Sequence, residues 1–577
     1  MKDIIGKYAT KTNLIALGIT LLSILLVNLL AYAFIKSESA IYYWDISAYW
    51  KNAIDILEIF QSSFSGGVTA VIQSTATDYN YLPITPLLPL LSIFGTGRTV
   101  FILTIINMYI VPFAVIVAYA CTKIFNIKNL NKKNLFYSST LFVTLFFPPV
   151  LAPALEGRVD AISLVSLALI LLLYAVTGFK KYRHYIILGL LICSVFVFRR
   201  YFSYWALGFF LAYALFSLFN AWLQSNKKFN KQFWSNIKRP LIGSVISGFT
   251  ILAVMLVGFR DVFMRYITEN YSDMYSAYYF GDAWSQVNYL IQFFGIIFII
   301  VTSLSIYLAL TKYRKEPSST ILLFILVQTI IIFIAFTRTQ TFGLHHYYMI
   351  APLFLWALYI VLKFTTDRTT RNYIYTLPVL MLVAVFSLIS FTGAKTNPSE
   401  VSKLLFGATK ELAPIIRGDI EEINNMANYL ESTVLAGEYV YVLSSSHTFN
   451  DDILRNIRLP NSLPVNISGS AHVDKRDGFP NYFFDAQYVI VASPIQTHLE
   501  EGSQDVVEYP ARLILNGDAK NLQKMQSFSL DKNVVATVYK KTYSYKLAFI
   551  DKIHSHFKQK YPQYSILNNI RSLEDEQ

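Results

Sequence analysis

Asp45 is the side chain with the most chemistry in its surroundings. It stands in Tyr42-Tyr43-Trp44-Asp45-Ile46-Ser47-Ala48-Tyr49-Trp50, just after a long apolar stretch. A carboxylate among bulky aromatics is partly desolvated, which raises its proton affinity and suits it to act as a general base. The competing reading is an interfacial aromatic belt with a solvated acid at a helix N-terminus. The other ionisable candidates sit in three short segments. Glu156, Arg158 and Asp160 share Glu156-Gly157-Arg158-Val159-Asp160; such a group can close as an ion-pair cluster, hold a cation or orient an acceptor. Arg199-Arg200 offer guanidinium geometry that matches a phosphate, with lipid headgroup contact as the alternative. The third segment brings Arg338, His345 and His346. Adjacent histidines on a helix point apart, which speaks against a two-His metal site and for one of them donating to a phosphate or sugar hydroxyl. No glycine-rich nucleotide loop, HExxH or GxSxG accompanies these residues.

The elements that must position them are membrane helices. Of 577 residues, 54% are apolar, 16% aromatic and only 15% charged, far from the roughly 25% charged of soluble domains. Eleven apolar stretches read as spans: 13–35, 99–122, 135–151, 161–178, 185–198, 201–222, 241–259, 287–311, 319–336, 348–364 and 373–392, of which 135–151 and 185–198 are short enough for half-spans. Bases such as Lys128, Lys132, Lys133, Lys227, Lys228, Lys312 and Arg368 fall in one set of connections, whereas Glu38, Asp45, Glu156, Asp160, Asp261 and Asp273 fall in the alternate set. The positive-inside rule puts the basic set and the N-terminus in the cytoplasm. The net charge of +13 is then topogenic, and nucleic acid is not an expected partner. Cys121 and Cys193 lie inside apolar runs, without metal or disulfide spacing.

The expected organisation is a membrane domain over 1–394, with a long first outer loop at 36–98, and a small extracytoplasmic α/β domain over 395–577. The loop opens with an amphipathic helix from Ile41 to Phe60 and closes on Tyr79-Asn80-Tyr81-Leu82-Pro83-Ile84-Thr85-Pro86-Leu87-Leu88-Pro89, whose prolines break any regular helix, so it must pack on protein or line a cavity. In the tail, Tyr439–Leu443, Tyr488–Ala492 and Val534–Tyr539 read as short buried strands.

Taken together, the aromatic-flanked Asp45, the Pro-Leu-Leu-Pro segment, the Gly157-Arg158-Val159-Asp160 loop and His345-His346-Tyr347-Tyr348 before a late span resemble the GT-C superfamily. These are polytopic glycosyltransferases such as protein mannosyltransferase-like, aminoarabinose transferase-like and arabinosyltransferase-like enzymes. The family usually pairs two acids in its first loop; here Asp45 is followed by Ile46. The resemblance implies a sugar on polyprenyl phosphate as donor and a carbohydrate or cell-envelope acceptor at the outer face of a bacterial plasma membrane. It implies Asp45 as base, Arg199, Arg200, Arg338 and His346 around the donor phosphate, and Asp160, Glu156, Arg158 and His345 toward the acceptor. Pro83, Pro86, Leu87 and Pro89 would wall a groove for the lipid tail, and the polar loop His472–Asp477 would help bind the acceptor. A divalent cation, Mg or Mn, stays open as a cofactor.

A flippase or carrier for the same lipid-linked glycans is the main alternative. It calls for polar groups along a path through the bilayer, where the spans offer only isolated Asn28, Gln292 and Gln328. An anchor presenting the outer domain would not need eleven spans.

Overall fold

The computed structural model describes residues 11–77, 79–368, 375–396, 404–407, 412–469 and 472–570. The described parts of the eleven apolar stretches are largely helical, with breaks at Phe147 and Gly295. Five helices are long and apolar enough to cross a bilayer: Leu17–Ser37, Arg98–Ile124, Phe202–Gln224, Lys231–Gly258 and Pro317–Thr337. Two bent pairs, Leu130–Phe146 with Pro148–Leu155 and Ala283–Phe294 with Ile296–Leu310, raise the number to seven. Ala161–Thr177, Tyr182–Phe198 and Leu377–Thr392 are apolar but shorter. Ala351–Arg368 is an interior helix, buried from Leu353 to Ile360. Leu21, Leu22, Leu25 and Leu29 are each more than half exposed, as side chains that face lipid should be. The chain is a polytopic helical membrane protein with a small sheet unit near its C-terminal end.

The stretch expected as one span over 287–311 turns by 93° at Gly295. Gly295 has φ +79, and a Cβ there would lie 2.4 Å from the Leu405 carbonyl oxygen. Only glycine tolerates that backbone and that approach. Hydrophobicity carries no trace of such a bend, because both arms are apolar.

Within the bundle, polar side chains tie helix to helix. The Asn28 and Asn107 amides donate to each other at 3.2 and 2.7 Å, and the Gln328 amide donates to the Trp205 carbonyl at 3.3 Å. At one end of the bundle Lys132, Tyr313 and Lys363 all meet Asp367. The acid-bearing connections meet at the other end.

The C-terminal unit is a five-stranded sheet in the order β2-β1-β3-β5-β4: β1 Tyr439–Leu443, β2 Asn466–Gly469, β3 Tyr488–Ser493, β4 Leu522–Leu530 and β5 Val534–Lys541. β1 runs parallel to β2 and β3, and the β3–β5 and β5–β4 pairs are antiparallel. Val440 and Val442 face one core, Tyr441 and Leu443 the other, which is why these strands read as unbroken apolar runs. Edge strands β2 and β4 are polar and were not expected from the sequence. Ile41 and Tyr43, from the first outer loop, are buried in the core of this unit, and Ser39 pairs with the backbone at Ile415 and Arg417.

Candidate active site

The helix Asp45–Ser62 buries Ile46, Tyr49, Trp50, Ala53, Ile56 and Leu57, a spacing that puts them on one face. Asp55 and Glu58 are exposed. Arg98 fastens the start of this helix to the next acid-bearing loop, donating to the Ile46 carbonyl at 3.0 Å and to the Glu156 carbonyl at 2.6 Å while lying 3.9 Å over the Tyr42 ring. No motif or spacing in the sequence marks Arg98 for that role.

Asp45 is thereby held among partners from three other segments. Its Oδ1 accepts from the Tyr79 hydroxyl at 2.8 Å. Its Oδ2 lies 3.1 Å from Arg158 Nη1 and 3.7 Å from Arg199 Nη2. Arg158 Nε also pairs with Glu156 at 2.9 Å, and Arg199 Nε donates to Asp160 Oδ1 at 2.8 Å. Tyr49, Tyr79 and Tyr201 surround the Arg199 guanidinium at 5.1, 5.4 and 5.9 Å. The Asp45 side chain retains 23% exposure and Tyr79 is 46% exposed, so the carboxylate keeps contact with solvent.

Burial pushes the Asp45 carboxyl up, but Arg158, Arg199 and the Tyr79 hydrogen bond outweigh it and hold the group below its ordinary value. This reverses the expectation of a raised proton affinity: the aromatics desolvate the acid, yet two guanidiniums from distant loops decide its charge. Asp160 behaves oppositely. It is fully buried, and burial lifts it to about 7 against the charge of Arg158 and a Tyr201 hydrogen bond, with Asp45 adding to the rise.

His345 and His346 lie on the short 3-10 segment Leu344–Met349. The tight turn brings their rings to 4.0 Å, where an α-helix would have splayed them. Burial, then the Arg199 and Arg158 charges, push His346 down to about 3; His345 is lowered too, by burial first and His346 next. Both are neutral at ordinary pH. His346 Nδ1 accepts from the Gly343 amide at 2.9 Å, so Nε2 carries the proton and is the donor.

The remaining candidates separate. Arg200 turns toward the outer segment 271–275, donating to the Tyr275 hydroxyl at 2.6 Å and lying 4.1 Å over the Tyr271 ring. Arg338 is exposed, with no side-chain hydrogen bond or ion pair among the described residues, and stands outside the Asp45 network. Pro83 and Leu87 are buried, Pro86 is half-buried and Pro89 is exposed. The Pro83 carbonyl accepts from Tyr109 at 2.6 Å. This segment packs against the helix Arg98–Ile105 and leaves Pro89 at the surface. A cavity of about 430 Å³ is lined by Phe113, Leu171, Trp205, Phe209, Phe324 and Trp356 among others. It begins at Trp205 and Pro352, a turn or two from Arg200 and Met349, and extends to Gln224 and Asn236.

Among the described residues no three His, Cys, Asp or Glu side chains gather as metal ligands. The carboxylates of Asp45, Glu156 and Asp160 are instead matched by Arg158 and Arg199, positive charge where a divalent ion would have to sit. The residues do not fit a resident cation.

No family model matches the sequence, and no curated protein matches it. Among solved structures, the chain is similar to ArnT from Cupriavidus metallidurans in a crystal structure bound to undecaprenyl phosphate. The TM-score is 0.49 and the identity 12%, covering 90% of this chain and 98% of that chain.

Proposed function

We propose that the protein is a membrane glycosyltransferase, moving a sugar from a polyprenyl-phosphate donor to a cell-wall or surface glycan outside the cytoplasm, at the plasma membrane. The observation that carries this reading is a partly exposed Asp45 carboxylate held ionised by two guanidiniums. In the proposed reaction an acceptor hydroxyl gives its proton to Asp45 as its oxygen attacks the anomeric carbon. The bond from that carbon to the phosphate oxygen breaks, and the phosphate leaves with the electron pair. A phosphate needs little protonation to depart, so cationic donors are what the leaving group requires. Arg158 and Arg199 serve that role, and His346 Nε2–H adds a neutral donor. The tail occupies the cavity below.

Purified protein with a panel of polyprenyl-phosphate sugars, scored for donor consumption and glycoside product, tests the reading. Asp45→Asn should lower turnover by about 10²–10⁴-fold, the usual worth of a positioned base, with abundance and membrane insertion unchanged. Near-normal turnover in that variant would remove Asp45 as the base. Movement of the lipid across vesicles without any glycosidic bond formed would replace the reading with a flippase.

A further inference from the structure

Glycosyl transfer requires a place for the acceptor, and the following inference rests on that reading. In the C-terminal sheet, β1 has β2 on one side and β3 on the other, both parallel to it. The chain therefore leaves β1 in one direction and reaches β3 in the opposite one. Open α/β sheets have their binding crevice at such a reversal, beyond the carboxyl ends of the strands. Here those ends are Ser444-Ser445-Ser446-His447 after β1 and Pro494-Ile495-Gln496-Thr497-His498 after β3. The two loops are laced together: the Ser445 amide donates to the Gln496 carbonyl at 2.8 Å, and His498 Nδ1 lies 3.0 Å from Ser445 Oγ and 3.2 Å from the Ser445 carbonyl oxygen. A carbonyl partner fixes the proton on Nδ1 and leaves Nε2 as an acceptor.

This crevice opens onto the residue before Asp45. The Trp44 ring is 4.6 Å from His498 and 5.2 Å from His447, and the Trp44 indole Nε1 is buried without a hydrogen-bond partner among the described residues. Beyond His498 the row of rings continues through Tyr278 at 5.9 Å to Tyr275 at a further 5.8 Å. Arg476 Nη1 donates to the Tyr278 hydroxyl at 2.7 Å, and Arg200 closes the far end on Tyr275. His447 is exposed and the other four rings are half-buried. We propose that this row, His447–Trp44–His498–Tyr278–Tyr275 across the seam between the sheet unit and the membrane bundle, is the acceptor subsite and that it takes a saccharide. Flat rings with polar edges suit the alternating C–H faces and hydroxyls of pyranoses. His498 Nε2 accepts from a hydroxyl, while Arg476 donates. Burial pushes His498 down to about 4, so that acceptor lone pair is free at neutral pH.

The test uses the full-length protein, without donor, on an array of immobilised neutral and anionic pyranose oligosaccharides. The wild type should retain at least one of them. Tyr278→Leu should weaken retention by about tenfold, the order expected for one lost stacking or hydrogen-bonding contact, and Tyr278→Phe should restore it to within about twofold. His498→Leu should weaken it similarly, with an unchanged melting temperature showing that the fold survives. No saccharide retained by the wild type, or equal retention by Tyr278→Leu, overturns the assignment. Because the array contains no donor, saccharide binding without donor turnover would sink only the transfer reading, and donor cleavage without saccharide binding would sink only this one.

Discussion

Asp45 owes its charge to side chains more than a hundred residues away. Arg158 is the nearer of its two guanidiniums, so its removal has a calculable sign. With burial no longer opposed by that charge, the Asp45 pKa rises in Arg158→Gln. The acid limb of a kcat/KM–pH profile should lie below the ordinary aspartate value of 3.8 in the wild type, from this group, and move upward in the variant. An acid limb that stays in place would show that Asp45 does not govern it. Residue identities in this site were largely legible in sequence: Asp45, Arg158, Asp160 and Arg199 do converge. Their ionisation was not legible, because the aromatic neighbours that suggested a raised proton affinity are local in sequence, while the guanidiniums and Tyr79 that reverse it are local only in space. Arg338 is separated from the cluster for the same reason.

At the scale of elements, the helix Asp45–Ser62 begins from Trp44 at φ 48 and ψ −136, a backbone region that costs a non-glycine residue about 1–3 kcal/mol. Partners from the C-terminal unit hold it there. Asp452 accepts from the Trp44 amide at 2.9 Å, and the Asn456 amide donates to the Tyr42 carbonyl at 2.9 Å and to Ser47 Oγ at 3.0 Å. Asn456→Ala should therefore reduce kcat by about tenfold, the worth of one or two positioning hydrogen bonds, while the donor KM stays constant. A raised donor KM with unchanged kcat would assign Asn456 to binding instead. The bend at Gly295 carries a second prediction. Gly295→Ala should cost at least about 1–3 kcal/mol from the positive φ alone, seen as a lower melting temperature of the detergent-solubilised protein. The helical periodicity at Ile46, Tyr49, Trp50 and Ala53 was readable because one face is buried. The Gly295 turn, the 3-10 segment under the histidines and edge strands β2 and β4 were not, since each is fixed by contacts that leave no periodic pattern.

At the scale of the molecule, the apolar cavity runs within the bundle from Trp205 and Pro352 toward Gln224 and Asn236, and the proposed reading places the donor's tail in it. Ser217 lines the cavity far from Asp45 in sequence. Ser217→Phe should fill part of it and raise the apparent KM for long-chain polyprenyl donors by about tenfold, with short-chain analogues unaffected, since each buried methylene of the tail is worth about 0.8 kcal/mol. Equal effects on both chain lengths would place the tail elsewhere. The alternation of basic and acidic connections was readable along the whole chain and matches their gathering at opposite ends of the bundle. We propose on that basis that the recess faces outward, and that the chain divides near residue 395. The packing of Ile41 and Tyr43 into the sheet unit could not be read, because it joins segments from opposite ends of the chain.

That joint has a temporal side. The clamp on Trp44 comes from Asp452, 408 residues later, so a nascent polypeptide carries Asp45 into the bilayer long before the hand that steadies it has been synthesised. A copy lacking the last third of the chain would therefore hold Asp45 on a helix whose start has lost its contacts from Asp452 and Asn456.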